Sequence, residues 1–304
     1  GLLAMTWRRY VVPAGALVCL LVGIRQRYKK PARRASVVVK FGGSAVTQKD
    51  KFETLKEDMV ASVAKQVASI VESAHMVPIL IHGAGSFGHF QARKYGVSKG
   101  EAGGKLSVEK KFGFADTRRS VTRLHNLILE ALLQEAVPAV TVPLFPAIKT
   151  RRKVPTSMPE EALLDVISKG FIPLLHGDAV FDEEQGCAIM SGDLLFEWTC
   201  KLCRPAQAVF LTDVAGVYDR PPTEPGAKLI REILVDTKGE MVEMSGPQMT
   251  TAAHDVTGGV ANKLATARRV AGVLDIPVWI CEVGTDNALA ALRGGTPARG
   301  TVVR

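Results

Sequence analysis

From Val37 onward the chain switches repeatedly between short apolar runs and longer stretches in which apolar residues recur at helical spacing. VVVKF (37–41) is a β-branched run that ends in glycines, and VPILIH (77–82) is a second apolar run; runs of this length predict strands buried on both faces. Between them, KDKFETLKEDMVASVAKQVASIVESA (49–74) has the helical period. The alternation predicts further helices over about 117–136 and 159–169, then a strand in FIPLLH (171–176). AVF and AIM, joined by DEEQG, read as a hairpin. GDLLFEWTCKLC (192–203) reads as a helix, QAVFLT (207–212) as a strand, GGVANKLATARRVAGVL (258–274) as a helix and PVWICEV (277–283) as a strand. Strands alternating with helices of this length predict an α/β fold, with a mostly parallel sheet covered on both faces.

In such sheets ligands bind beyond the carboxyl ends of the strands, and the residues found there share a chemistry. The first strand is followed by KFGGS (40–44) and the second by HGAGSFGH (82–89). HGD (176–178) follows the strand at 171–176, and TDVAGVY (212–218) follows QAVFLT. SGD (191–193) and DVTGG (255–259) open two helices. Backbone N–H groups approach an anion closely only where no Cβ intervenes, and helix N-termini add partial positive charge. Two glycine cradles imply two anionic groups. With Lys40, Lys49 and Lys263 in or beside these segments, the composite reads as a site that brings two phosphates together.

Each residue also has a plainer reading. Lys40 lies within a strand beside glycines, a costly place for an ammonium unless it meets an anion. Lys49 sits among the polar residues of TQKDK and would serve equally as a surface lysine. His89 closes a glycine cradle, where its ring N–H can donate to a phosphate oxygen. His82 and His176 end buried strands and read as structural, while His75, His125 and His254 carry no motif. Asp178, Asp193 and Asp213 follow Gly or Thr at element ends, where they either cap the backbone or orient the lysines. Gly83, Gly85 and Gly88 spell G-x-G-x-x-G, but the dinucleotide fingerprint also needs a helix at the third glycine and an acidic residue after the next strand. The following stretch, with Glu109 among lysines, does not fit it. No G-x-x-x-x-G-K-[ST] occurs.

Charge changes this picture less than its total suggests. The 304 residues carry 39 Lys plus Arg against 30 Asp plus Glu, a net of +9, which alone would point to a polyanion or a membrane surface. Eight of those basic residues fall within residues 1–36, which hold no acidic residue; setting them aside leaves 31 basic against 30 acidic over 37–304. That body is nearly neutral, and no nucleic-acid partner is expected. Residues 10–24, YVVPAGALVCLLVGI, form a 15-residue apolar run between basic flanks, short of the roughly 20 that span a bilayer. A targeting or tethering segment and an extension without a role both remain open. Membrane contact is expected only there, and the body is expected in the cytoplasm unless that segment directs it to an organelle. Cys19, Cys187, Cys200, Cys203 and Cys281 are too few and scattered for a disulfide framework. Cys200 and Cys203, spaced C-x-x-C, read as two buried helical thiols because a zinc site needs two further ligands.

Taken in order, KFGGSAVTQK, HGAGSFGHF, SGD, TDVAGVYDRPP and DVTGGVANK resemble the amino acid kinase superfamily, and the HGAGSFGH form resembles its isopentenyl phosphate kinases. The likeness covers about 37–304, including the terminal GTVV (300–303). It implies a three-layer α/β/α sandwich, with an acceptor-binding lobe over about 37–195 and an ATP-binding lobe over about 196–304. It implies that Lys40, Gly42, Gly43 and Ser44 hold the ATP β and γ phosphates and that Lys49 acts on the transferring phosphoryl group. Ala84 and Gly85 would present N–H groups, with His89 and Gly192 at the acceptor phosphate. Asp193 would orient the lysines, Asp213 and Tyr218 would border the nucleoside, and Gly259 and Lys263 would complete the ATP phosphate site. ATP and Mg²⁺, the ion held mainly by the ATP phosphates, are the implied cofactors, isopentenyl phosphate the implied acceptor and a homodimer the implied assembly. A same-fold kinase for another phosphate or phosphonate, of the fosfomycin-kinase type, and a non-catalytic nucleotide-binding module are the rival readings. Ala84, where glycine is common, and Ala215, where an acidic residue is frequent, depart from the usual pattern without touching a charged reaction group.

Overall fold

The computed structural model describes residues 35–74, 76–245 and 258–304. The strands are β1 (Val37–Phe41), β2 (Pro78–His82), β3 (Ala139–Thr141), β4 (Lys149–Arg151), β5 (Val154–Ser157), β6 (Ile172–His176), β7 (Asp178–Asp182), β8 (Gly186–Met190), β9 (Gln207–Thr212), β10 (Glu232–Val235), β11 (Met241–Ser245), β12 (Val278–Glu282) and β13 (Thr301–Val303). The helices are α1 (Gly43–Val46), α2 (Glu57–Ala74), α3 (His89–Lys94), α4 (Val108–Gln134), α5 (Glu160–Ser168), α6 (Gly192–Cys203), α7 (Gly258–Leu274) and α8 (Asp286–Leu292).

Nine strands form one sheet in the order β11-β10-β13-β12-β9-β1-β2-β6-β3. The six from β12 to β3 are parallel throughout, as expected for strands buried on both faces. β1 lies between β2 and β9, so connections leave it toward opposite edges and open a crevice at the strand ends. Phe41 faces α2 and α4, packing with Val60, Val63, Ile128 and Leu132. Lys40, one position earlier, takes the opposite face, as strand alternation requires, and there Phe196 of α6 packs on Phe210 of β9. Four further strands, in the order β5-β4-β7-β8, make a second sheet. Thr301 explains the terminal GTVV: its buried hydroxyl donates to the Ile230 carbonyl and accepts the Val217 amide, pinning the loop after β9 to the sheet.

The helix expected over 49–74 begins only at Glu57. Residues 49–56 instead form a loop closed by a Thr47–Leu55 bridge and a Gln48-to-Thr54 backbone bond. Glu53, at φ +45°, cannot continue a right-handed helix. The next long helix starts earlier than its apolar period suggests, because Ser107 caps it by accepting the Lys110 amide. A helix does open at Gly88, contrary to the reading of the glycine motif, but it lasts six residues and Glu109 falls in the first turn of α4 rather than after a strand. Cys200 is buried as expected, whereas Cys203 is half-buried. His75, His254, Asp255 and residues 1–34, including Cys19 and the 10–24 run, lie outside the described residues. Among the described residues no helix is long and apolar enough to cross a membrane.

Candidate active site

Three parallel strands end side by side, and a glycine after each extends the ladder by one rung. The Gly42 amide donates to the Leu211 carbonyl (2.9 Å), Gly83 to Phe41 (3.1 Å) and Gly177 to His82 (3.2 Å). The loops then turn together into contact. A Cβ at Gly43 would overlap the backbone N and Cα of Gly85, and one at Gly83 would stand 2.8 Å from the Gly43 nitrogen. Gly85 itself has φ +51°, a conformation that glycine adopts without a Cβ penalty. The two cradles are therefore one surface. Thr47 fastens it: its hydroxyl donates to the Gly43 carbonyl (2.7 Å) and accepts the Ser86 amide (3.0 Å).

Above this surface lies a cavity of about 360 Å³. Ten of the expected residues line it: Lys40, Gly43, Ser44, Lys49, Ala84, Gly85, His89, Gly192, Asp193 and Lys263. Gly42 lies just behind, where a Cβ would stand 3.4 Å from the Lys263 Cε. Asp213 is outside the wall but feels Lys49 and Lys263 electrostatically. Tyr218 bridges Leu229 in the following loop, away from the cavity wall, and Gly259 falls in the first turn of α7.

Lys40 is 3% exposed, and its ammonium pairs with Asp193 at 3.0 Å. Ser191, not Asp193, caps α6, accepting the Leu194 amide, so Asp193 is left to hold the lysine. Gly192 leaves room at that crossing, since a Cβ would stand 2.8 Å from the Lys40 Cε. Burial, and next the charge of Lys40, lower the Lys263 pKa to about 8. His89 is also held below its ordinary value, first by burial and then by Arg93, Lys49 and Lys263. For Asp213, burial pushes upward, but the Thr212 hydroxyl, its own amide and the two lysines outweigh it and lower the pKa. The cations of the cavity depress one another's pKa values, a repulsion that a pair of phosphates would relieve.

The cavity also has apolar lining, Ala92, Val121, Ile189 and Met190, together with Thr117 and Asp178. Behind them Val97, Phe114, Ala179 and Cys187 form a separate core cluster. Sequence reasoning missed the apolar lining because its residues come from α3, α4 and β8 and carry no shared motif. It also missed Glu53, whose carboxylate is 7% exposed and accepts from Arg119, Arg123, Ser120 and Gln91. These bonds outweigh burial and lower its pKa; they tie the loop carrying Lys49 to α3 and α4. His125 was missed too, although it meets His82 and His176 beneath the cradle.

Comparison with known proteins places this geometry. The family model described as "Amino acid kinase family" matches residues 35–282. An isopentenyl phosphate kinase of Arabidopsis thaliana is 33% identical over 86% of this chain and 92% of its own. One of Thermoplasma acidophilum is 25% identical over 88% and 100%. Among solved structures, an isopentenyl phosphate kinase superposes with a TM-score of 0.72 at 26% identity, covering 88% of this chain and 99% of that one. Giardia carbamate kinase, at 13% identity and a TM-score of 0.60, shares the fold alone. With a family match that spans most of its length and a plant relative a third identical along nearly all of its own, the chain belongs to the amino acid kinase family and, within it, to the isopentenyl phosphate kinases.

Proposed function

We propose that the protein transfers the γ-phosphoryl group of ATP to isopentenyl phosphate, giving isopentenyl diphosphate and ADP. The observation that carries this is one cavity lined both by lysines and a histidine beside fused glycine cradles and by the apolar side chains of Ala92, Val121, Ile189 and Met190. A five-carbon chain bearing a phosphate combines the same two characters. The acceptor oxygen is already anionic at neutral pH, so no general base is needed; the barrier lies in bringing two anions into line.

In this reading Lys40, fixed by Asp193, and Lys263 take the β and γ oxygens of ATP with the Gly43 amide, while Gly42, its own amide held by the Leu211 carbonyl, backs them. Lys49 follows the phosphoryl group as charge spreads over its equatorial oxygens. His89, neutral before substrates arrive, donates to the acceptor phosphate beside the amides of Ala84 and Gly85, with Gly192 admitting both groups. Asp213 faces Lys49 and Lys263 and so belongs near the phosphate end of the nucleotide, with Tyr218 and Gly259 flanking it. Among the described residues no three His, Cys, Asp or Glu gather to hold a metal. Mg²⁺ would be held mainly by the nucleotide phosphates, where it would neutralise non-bridging oxygens. The family resemblance also carries a homodimer, to be checked by light scattering.

The test is an acceptor panel with the purified protein, ATP and Mg²⁺. Isopentenyl phosphate should give the diphosphate with the highest kcat/KM. Turnover of a phosphonate or another small phosphate in its place would transfer the assignment to that acceptor, and nucleotide binding without turnover of any acceptor would make the protein a regulatory module. Lys49→Ala should lower kcat far more than it raises the ATP KM, whereas His89→Ala should also raise the acceptor KM.

A further inference from the structure

Three histidines meet beneath the cradle: His82 at the end of β2, His176 at the end of β6 and His125 on α4. His82 is 0%, His125 2% and His176 7% exposed. Their ring centroids lie 5.3 Å (His82–His125), 5.4 Å (His82–His176) and 4.7 Å (His125–His176) apart. The catalytic roles above use none of them, although three buried imidazoles are a costly way to fill a core.

The hydrogen bonds allow one assignment of the protons. His82 Nδ1 lies 3.1 Å from the Gly83 carbonyl oxygen, which can only accept, so Nδ1 carries the proton and Nε2 is bare. His82 Nε2 lies 3.1 Å from His125 Nδ1, which must therefore donate. His125 Nε2 is then bare as well and accepts the Thr141 hydroxyl at 2.7 Å. Every donor in the chain points the same way, from Thr141 at the sheet edge to Gly83 at the cavity. Burial lowers the pKa of both His82 and His125 and neighbouring imidazoles lower it further; at His82 the bond to Gly83 pulls the other way and Lys40 adds to the lowering. Asp178 and Arg118 pair with each other on the His176 side. The relay is therefore neutral at physiological pH, and alignment of successive dipoles strengthens each bond.

Its last link bears on the site. The peptide joining Gly83 to Ala84 is planar, with its C=O and N–H opposed. Tying the carbonyl to His82 turns the Ala84 amide away from the histidine, toward the cavity that Ala84 lines. His176 does the same for its own loop, with Nδ1 3.0 Å from the Gly177 carbonyl oxygen.

We propose that Thr141, His125 and His82 form a one-directional hydrogen-bond relay that positions the Ala84 amide for the acceptor phosphate. His82 and His125 are thus positioning residues for phosphoryl transfer. The inference deepens the reading under Proposed function and rests on it for the identity of the anion, but not for the relay itself.

His125→Phe leaves His82 Nε2 without a donor, while His125→Asn returns one near the Nδ1 position. In the full-length protein, His125→Phe should raise the KM of the acceptor that wild type turns over by about tenfold, leave the ATP KM within about twofold, and be largely rescued by His125→Asn. A purely structural role would lower Tm in both variants and leave the KM values together. If His125→Phe does not fold, Thr141→Val, at the exposed end of the relay, should show the same one-sided shift at smaller size. Imidazole ¹H–¹⁵N spectra of wild type should show Nδ1–H tautomers for His82 and His125 from pH 6 to 8. Finding the Nε2–H tautomer, or a folded His125→Phe with unchanged acceptor KM, overturns the proposal. The spectra decide about the relay even if isopentenyl phosphate proves to be the wrong acceptor.

Discussion

Gly43→Ala is a one-carbon change whose consequence can be worked out from the backbone alone. The added Cβ would fall inside van der Waals contact with the Gly85 N and Cα, atoms of a main chain and not of a side chain that can swing away. Restoring an ordinary contact requires the two cradles to part by about 1 Å. Thr47 and the ladder bonds of Gly42 and Gly83 resist that movement. Overpacking of this kind costs about 1–3 kcal/mol, which for a domain of this size lowers Tm by roughly 5 °C. The larger effect is on chemistry: a misplacement of about 1 Å between reacting groups costs on the order of 100-fold in rate. Steady-state kinetics in both substrates should show kcat down by about that factor. Gly42→Ala is the matched control, because its Cβ meets the flexible end of Lys263 at 3.4 Å; it should change kcat by no more than about threefold. If folded Gly43→Ala has a kcat within about threefold of wild type, contact between the cradles is not what aligns the phosphates.

The other expected outcomes concern charge. Because the Lys263 pKa is lowered to about 8, ATP affinity measured by calorimetry should fall as pH rises through about 8, and Lys263→Met should flatten that dependence. Nucleotide phosphates favour the ammonium, so binding near that pH should take up protons, visible as a buffer-dependent heat. His125, at about 3 when folded, binds its proton at higher pH in the unfolded chain. Its neutral form therefore opposes nothing above about pH 6.5, and stability is lost as pH falls from there toward 3. Urea midpoints at pH 7 and 5 should differ by less in His125→Phe than in wild type. Glu53→Ala leaves two arginines without their shared carboxylate and should cost about 2–3 kcal/mol in urea unfolding; an unchanged midpoint would mean that the cluster holds nothing.

Legibility in the sequence followed local pattern. β1, β9, α6 and α7 match their expected spans because an apolar run or an amphipathic period defines each without help from elsewhere. β4 and β5, KTR and VPTS, carry neither an apolar run nor a helical period. They are held by Asp182, which accepts from the Thr150 hydroxyl and from the Arg152, Lys153, Glu184 and Gln185 amides, a long-range device with no periodicity. The lysines and glycines of the cavity were legible because an anion site needs those residue types at strand ends. Glu53 was hidden by helical spacing in a segment that a left-handed residue diverts from helix. His125 looked like an unremarkable helical histidine, since nothing in residues 108–134 shows that α4 lays it against two strand ends.

Placing β1 at the centre of the sheet has a consequence for the order in which the molecule is made. Val37 pairs with Pro78 about 40 residues away on one side and with Gln207 about 170 residues away on the other. The first closure joins the two cradles across two helices and the loop between them. The second brings β9, and with it Asp213 and the elements that follow, to the opposite flank of β1 only after most of the chain exists. Pairings of such long separation are costly in loop entropy and slow to form. A growing chain can therefore shape its glycine surface early, but it lacks Lys263 and the β9 flank until late, so a half-synthesised chain carries the fused cradles without one of the lysines that line the cavity.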